Sequence, residues 1–357
     1  MFLYGALHHN WRKISIFKSI ELKPKVSIII PCRNEENNIE NCIRSVFANK
    51  YPINKFEIIA VNDRSTDNTE IILNTLKLEI PNLFIVNINN ENRKENLRGK
   101  PGALQSGIDQ CSGELILMTD ADCLVSNLWI ETIVNEFNNP EVGLVASFTG
   151  VKPIGIFSKY QAVEWVYMHI MACGGIGLKQ PLGCWGNNLS VRKSVFDEIG
   201  GYDKIKFSIT EDLALLKEVF NRNYKLRYIL RPESKVETSA CSTLREFIRQ
   251  HHRWVIGGKA LGWRAVVFVM TTVAIWLGIF LSIITSSWSS LIIILLIRIL
   301  CDFLLTSMAA LKLKIKNLVW WIIPSIPIII LMELIAPFML LSSNVEWKEQ
   351  KFKSKKS

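Results

Sequence analysis

The chain has 357 residues, of which 49% are apolar and 21% charged, and a net charge of +10. That length is enough for a large core and suits two structural parts. A positive balance can signal nucleic acid, but the polar part holds no long basic run with interleaved aromatics. The densest basic stretches are Lys312, Lys314 and Lys316 and a tail from Lys348 to Lys356, and both flank apolar segments. Lipid headgroups and membrane topology account for them, so nucleic acid is excluded as a partner.

In chain order, residues 1–20 do not read as a signal peptide, because Arg12, Lys13 and Lys18 break the apolar run. The soluble part is therefore expected in the cytoplasm. Residues 26–30 are continuously apolar and closed by Pro31, as in a buried parallel strand. Ile39, Cys42, Ile43, Val46 and Phe47 then recur at helical spacing. Residues 56–61 form a second strand ending in Asn62-Asp63, and 71–78 a helix. Residues 83–88 are a third strand, 102–108 begin a helix, and 115–118 are a fourth strand ending in Asp120-Ala121-Asp122. Alternation of this kind predicts a mostly parallel sheet with helices on both faces. Ligands bind such sheets beyond the carboxyl ends of the strands, so Asp63, Lys100, Asp120 and Asp122 should converge on one rim.

Further on, 144–148 suit a strand, 157–171 a helix with an aromatic face, and 211–220 a helix opened by Thr210 as N-cap. Residues 243–254 are amphipathic, with Leu244, Phe247 and Ile248 opposite Arg245, Arg249 and Arg253. They suit a membrane surface or packing on the sheet equally well. Residues 265–285, 291–311 and 319–341 are each about long enough to span a bilayer. Arg298 and Asp302 sit at i and i+4 in the second, where they can pair. The third carries Glu333, Pro324, Pro327 and Pro337, and is expected to be kinked or re-entrant. The eight cysteines form no CxxC pair and no zinc-ligand spacing with the five histidines, as in a reducing compartment.

Two carboxylates flanking a small residue at a strand end can hold a hard divalent cation beside a diphosphate. Asp120-x-Asp122 alone is a weak signal, since turns use Asp freely. Asp63 suits a base or ribose edge, while Asp67 or Thr66 caps the next helix. Glu211 and Asp212 suit the first turn of a helix without any catalysis, and Asp212 also suits a general base. Gln250, Arg253 and Trp254 suit a pyrophosphate and a sugar ring, or plain interfacial anchoring.

Taken together and in this order, these pieces resemble the membrane-integral branch of the family 2 glycosyltransferases, which includes cellulose, chitin and hyaluronan synthases and ceramide glucosyltransferase. The resemblance runs over about residues 25–254. Its pieces are residues 26–35, Asp63, Gly99-Lys100, Asp120-Ala121-Asp122, residues 183–188, Gly200-Gly201-Tyr202, Thr210-Glu211-Asp212 and residues 250–254. It implies an α/β protein of GT-A type followed by a C-terminal bundle of about three transmembrane helices. The implied organisation is an N-terminal segment (1–24), a catalytic domain (25–240), an amphipathic interface helix with a Gln-x-x-Arg-Trp motif (241–263), transmembrane segments (264–342) and a basic tail (343–357).

The reaction so implied is an inverting, metal-dependent transfer from a nucleotide-diphosphate sugar, a UDP-sugar by resemblance, to a lipid-linked or saccharide acceptor. It would take place in the cell membrane, with the catalytic domain cytoplasmic. Asp212 would be the base. Asp63, Lys100, Asp120, Gln250 and Arg253 would bind the nucleotide sugar, and Trp254, Glu211 and Trp185 the acceptor. Asp122 with Asp120 would hold Mg2+ or Mn2+. The loop around Trp185 departs in wording from that of the synthases, and the N-terminal span many relatives carry is not seen, so that either the chain does without it or the start is truncated. Three spans are few for a polymer channel unless chains associate, which leaves a homo-oligomer open. A nucleotidyltransferase or a non-catalytic membrane scaffold is the alternative. A transporter built on Arg298, Asp302 and Glu333 would need more spans.

Overall fold

The computed structural model describes residues 2–10, 23–90, 94–341, 344–347 and 350–353. Most of the expected 1–24 segment and much of the basic tail, with Lys348 and Lys356, lie outside the described residues. The chain divides into two compact units, Met1–Val151 with Met171–Ser239, and Lys152–Ile170 with Ala240–Ser357.

The first unit begins with α1 (Phe2–Asn10), β1 (Val26–Cys32), α2 (Ile39–Phe47), β2 (Phe56–Asp63), α3 (Thr69–Glu79) and β3 (Leu83–Ile88). It continues with α4 (Lys100–Ile108), β4 (Leu115–Met118), β5 (Cys123–Val125), α5 (Trp129–Glu136), β6 (Val142–Ser147) and β7 (Thr149–Val151). Helix α6 (Ile156–Gly177) starts in the second unit, and its residues from Met171 onward belong to the first. Then come β8 (Leu189–Arg192), α7 (Lys193–Ile199), α8 (Gly201–Lys204), α9 (Glu211–Asn221), β9 (Lys225–Ile229) and β10 (Val236–Thr238).

Seven strands form one sheet in the order β3-β2-β1-β4-β8-β6-β9. Strands β1 to β4 run parallel, and β8 lies antiparallel to both β4 and β6. Because β1 to β4 share a direction, Asp63 and the Asp120 turn leave the same edge. Met118 pairs with Leu189, so the loop entering β8 reaches that edge too. Ile28, Ile30 and Ile58 are wholly buried in one core cluster. Each contributes about 1.5–3 kcal/mol by leaving water. Strand β1 runs through Pro31, which the sequence had suggested as its end. Its pairing with β4 stops at Ile29 opposite Met118, so Pro31 sits where only β2 still pairs and a missing N–H is tolerated. A second sheet, β5-β10-β7, lies beyond the Asp120 turn. Its three-residue strands are too short to leave a periodic signal in sequence.

The second unit continues with α10 (Leu244–Gly258), α11 (Trp263–Ile284), α12 (Trp288–Lys312), α13 (Val319–Met339) and the hairpin β11 (Asn344–Trp347) and β12 (Gln350–Lys353). Helix α10 starts with a capping arrangement: Thr243 Oγ1 accepts from Glu246 N (3.2 Å), and Glu246 Oε2 accepts from Ser242 N (2.9 Å). Of the expected apolar face, only Phe247 is buried, clustered with Cys241, Met332 and Met339; Leu244 and Ile248 stay exposed. Among the described residues, two helical stretches are long and apolar enough to cross a membrane, Trp288–Lys312 and Lys316–Met339, with a shorter apolar stretch, Thr272–Ile284, in α11; the first half of the first expected span, 265–285, lies partly outside the described side chains. Helix α13 stays helical through its three prolines, with Ser325 Oγ donating to Trp321 O at 2.6 Å. Arg298 pairs with Asp302 as expected (2.6 Å), and also with Glu333 of α13 (2.6 Å).

Candidate active site

The carboxyl edge of the main sheet gathers charge around Lys100. This residue opens α4, and its Nζ lies 2.6 Å from Asp120 Oδ1 and 3.1 Å from Glu211 Oε1. Burial opposes the ammonium charge, but the carboxylates of Asp120, Glu211 and Asp212 outweigh it and hold Lys100 protonated well above its ordinary range. Glu211 and Asp212 arrive on the first turn of α9, where unpaired N–H groups and the helix dipole favour negative charge. Thr210 occupies the N-cap position but its side chain does not cap the helix; its Oγ1 pairs with Ser208 Oγ instead.

Asp212 is held by two backbone donors, Leu213 N to Oδ1 (2.7 Å) and Gly186 N to Oδ2 (2.9 Å). Burial and the neighbouring Glu211 push its acid up to about 7, against the pull of Lys100 and the two N–H groups. The Gly186 contact explains the glycine. A Cβ there would stand 3.2 Å from both Glu211 Oε1 and Lys100 Nζ. Its single turn, Gly186–Asn188, is fixed by Asn188, whose Nδ2 donates to Phe148 O (2.8 Å) and Ser234 O (3.0 Å) while Oδ1 accepts from Trp129 Nε1 (2.9 Å). Trp185 flanks this turn and is half-buried. Gly200 and Gly201 both take positive φ (84° and 64°), which L side chains rarely adopt. This turn buries Tyr202, whose N–H donates to Gln105 Oε1 at 2.8 Å.

Asp122 is exposed, two residues past Asp120. Its oxygens accept from the Cys123 thiol (3.4 Å) and Thr238 Oγ1 (3.4 Å). Burial pushes the Cys123 and Cys42 thiols well up, so both are neutral donors rather than ligands. All eight cysteines are free. Among the described residues, no three or more His, Cys, Asp or Glu side chains cluster as a metal cage. Two carboxylates alone fit a hard cation that takes the rest of its shell from diphosphate oxygens and water.

The structure thus brings Lys100, Asp120, Glu211 and Asp212 together, with Asp122 beside them. Asp63 ends β2, two strands from β4, and its carboxylate is taken by Arg64 (2.7 and 3.2 Å). Asp67 accepts from Thr69 N and Oγ1 and from Glu36 N, tying the turns after β1 and β2 together; the N-cap of α3 itself is Asn68. Gln250, Arg253 and Trp254 lie on α10 in the second unit, all half-buried. Sequence reasoning missed the Gly186 donor, the Asn188 anchor and the Cys123 and Thr238 bonds to Asp122. The Gly186-Asn187-Asn188 run inside the resembling stretch was the one available signal for the first two.

The family model described as "Glycosyl transferase family 21" matches residues 2–357. A probable glycosyltransferase of Bacillus subtilis is 28% identical over 244 residues, 66% of this chain and 56% of its own. A poly-beta-1,6-N-acetyl-D-glucosamine synthase of Staphylococcus aureus is 28% identical over 285 residues, 76% of this chain and 65% of its own. The chain therefore spans less than two thirds of these relatives. A mannosyltransferase of Pyrobaculum calidifontis, solved with GDP-Man and Mn2+, superposes with a TM-score of 0.53 at 18% identity, over 74% of this chain and 72% of that one. That likeness establishes the GT-A fold. The resemblance to family 2 holds at the level of fold and enzyme class, while the matching family is 21: the chain belongs to glycosyl transferase family 21.

Proposed function

We propose that the protein is an inverting glycosyltransferase acting at the cytoplasmic face of a membrane. Its donor is a nucleotide-diphosphate sugar, a UDP-sugar by resemblance, and its acceptor is a lipid-linked or saccharide hydroxyl. The observation that carries this reading is the convergence of Asp120, Glu211 and Asp212 on Lys100 at the carboxyl edge of the sheet. Family membership supports it over a nucleotidyltransferase or a scaffold.

In the mechanism, Asp212 takes the proton of the acceptor hydroxyl as that oxygen attacks the anomeric carbon. The bond from that carbon to the diphosphate breaks on the opposite face, and the nucleoside diphosphate leaves. A carboxyl near 7 suits this task, because it is basic enough to accept a proton and still ionised in good part at neutral pH. The Gly186 and Leu213 N–H groups fix its two oxygens, which sets the direction of attack. Lys100 neutralises the gathered carboxylates until the donor arrives. By resemblance, Asp63 would bind the base or ribose, Gln250 and Arg253 the pyrophosphate, and Trp254, Glu211 and Trp185 the acceptor. Asp120 and Asp122 would hold Mg2+ or Mn2+, which supplies positive charge to the leaving diphosphate.

Membrane attachment is supported by the two long apolar helical stretches. The positive-inside rule puts Lys312, Lys314 and Lys316 in the cytoplasm. Residues before α11 share that side only if α11 also crosses. Its 22 residues permit this, reaching about 33 Å against a core of about 30 Å.

The test is nucleotide release from membranes carrying the protein, over a panel of UDP- and GDP-sugars with Mn2+, Mg2+ or EDTA and a lipid extract as acceptor. Metal-dependent release with one donor, lost in Asp212→Asn, is expected. No release above the mutant from folded protein with any donor and metal overturns the reading.

A further inference from the structure

The main sheet ends in two edge strands, β9 and β3, and the two edges differ. A strand edge presents N–H and C=O groups that recruit a further strand unless it is covered or charged. At β9 both devices are present. Tyr228 N–H donates to His9 Nε2 of α1 (2.9 Å), and Tyr228 O accepts from the Cys173 thiol of α6 (3.8 Å). Lys225 and Arg227 add charge along the strand. Strand β3 carries no charged residue and no proline, and among the described residues no strand pairs with its outer side. Apolar surface surrounds it: Phe84 on the strand and Ile71 and Leu78 on α3 are 50%, 65% and 89% exposed.

The outward groups of β3 follow from its pairing. Ile58 N donates to Asn82 O (2.9 Å) as β3 begins, and bonding direction alternates along a strand, so Phe84, Val86 and Ile88 direct their backbone groups to β2. Leu83, Ile85 and Asn87 direct theirs outward, with the Leu83 N–H taken by Ile80 O (3.1 Å). Above this edge stands one flank of α3. Glu70, Asn74 and Lys77 recur at i, i+4 and i+7, which makes one stripe of a helix. Glu70 Oε1 accepts from Asn87 Nδ2 (3.4 Å), so the stripe faces the edge. Glu79, half a revolution round the helix, faces the other way and pairs with Arg44 of α2 (2.9 Å). Because β2 and β3 run parallel, α3 between them runs back, with Glu70 above the end of β3 and Lys77 above its start. Asn74 lies about 6 Å along α3 from Glu70, and Ile85 about 7 Å along β3 from Asn87, so the two are level.

We propose that the β3 edge and this flank of α3 form the interface of a two-fold homodimer, in which β3 pairs antiparallel with β3 of a second copy, centred on Ile85. An axis perpendicular to the sheet pairs one residue with itself, and that residue must direct its N–H and C=O outward to be hydrogen-bonded. Ile85 meets the condition. Its N–H and C=O bond those of its counterpart, and each Asn87 N–H reaches the other copy's Leu83 carbonyl. Phe84 then lies opposite the other copy's Val86, an aromatic–β-branched pair. The same axis passes Asn74 and sets Glu70 of each copy toward Lys77 of the other. Opposite charges meet there only because the incoming strand is this chain's own, reversed, which selects a second copy over an unrelated strand. Helix α3 packs across β2 and β3, so strands about 4.8 Å apart leave the two α3 helices about 10 Å apart, as packed helices are. The inference goes beyond the transferase reading and does not depend on it.

The test uses the full chain in detergent micelles, with its mass measured by sedimentation equilibrium in density-matched buffer over a range of protein concentrations. Wild type is compared with Glu70→Lys, Lys77→Glu and the double variant carrying both. Wild type is expected to dimerise. Each single reversal sets like charges together twice and should raise the dimer dissociation constant about 10-fold or more. The double variant restores both pairs across the axis and should recover most of the wild-type affinity. In membranes, Asn74→Cys in a Cys301→Ser background should be joined into a dimer by a short bis-maleimide, and the Cys301→Ser parent should not. Glu70→Lys also puts a cation in the first turn of α3; if that variant fails to fold, Lys77→Glu and the cross-link decide. Monomer at every concentration overturns the proposal. So does a dimer that the single reversals leave unchanged, a folded double variant no better than the singles, or the absence of a link at position 74.

Discussion

Lys100 and Arg298 each hold two carboxylates, at 2.6 and 3.1 Å in one case and 2.6 Å twice in the other. The surroundings give these similar groupings different uses. The carboxylates around Lys100 come from a strand exit and a helix start, where backbone N–H groups are unspent and further acids stand nearby. Negative charge there exceeds positive, and ligand phosphate or a cation can enter. The carboxylates on Arg298 come from the middle of apolar helices, where every backbone N–H is used within the helix. That grouping ties α12 to α13. Delivery from element ends makes a site, and delivery from element middles makes a staple.

Four measurements would break or sharpen this contrast. The largest effect is expected from Asp212→Asn, which should lower transfer by about 10²–10⁴-fold while donor binding persists. In the wild type, the rate should climb as pH rises through about 7 and level off above it, because the ionised carboxylate is the base. A mutant keeping more than a tenth of the rate would remove Asp212 from the chemistry. Next, Arg298→Met strands Asp302 and Glu333 and should cost about 3–5 kcal/mol of stability in micelles, with turnover kept at low temperature. Replacing all three residues with apolar ones should restore most of that stability; failure to do so would mean the grouping does more than staple. Third, Asp122→Asn should weaken Mn2+ binding, read by electron paramagnetic resonance, by about 10–100-fold. Unchanged affinity would move the metal elsewhere. The smallest effect belongs to Gly186→Ala. Displacing Lys100 and Glu211 by a few tenths of an ångström should lower kcat about tenfold with little change in unfolding temperature.

The parallel half of the sheet was readable because buried parallel strands are unbroken apolar runs, and β3 and β4 have the bounds expected. The acids were readable too, since strands ended in them. What could not be read was how Asp212 is held. Its partners are backbone N–H groups, and Gly186 lies 26 residues away in sequence. The small sheet that brings Thr238 to Asp122 also left no periodicity. The meeting of Glu164 and His251 stayed invisible as well: nothing local distinguishes a buried glutamate that meets a histidine 87 residues away.

Strand β8, antiparallel to its neighbours, has a consequence for how such an enzyme can change. Every other segment at the working edge is an exit from a strand or the opening of a helix, but the Trp185–Gly186 loop is an entrance. Lengthening or rewording it upstream of Leu189 remodels the edge without shifting the register that pairs Met118 with Leu189 and Leu115 with Arg192. Changes after Arg192 emerge at the far end and leave the edge untouched. The segment before β8 is therefore where new acceptors can be tried at least risk to the core, and the segment after it is where they cannot.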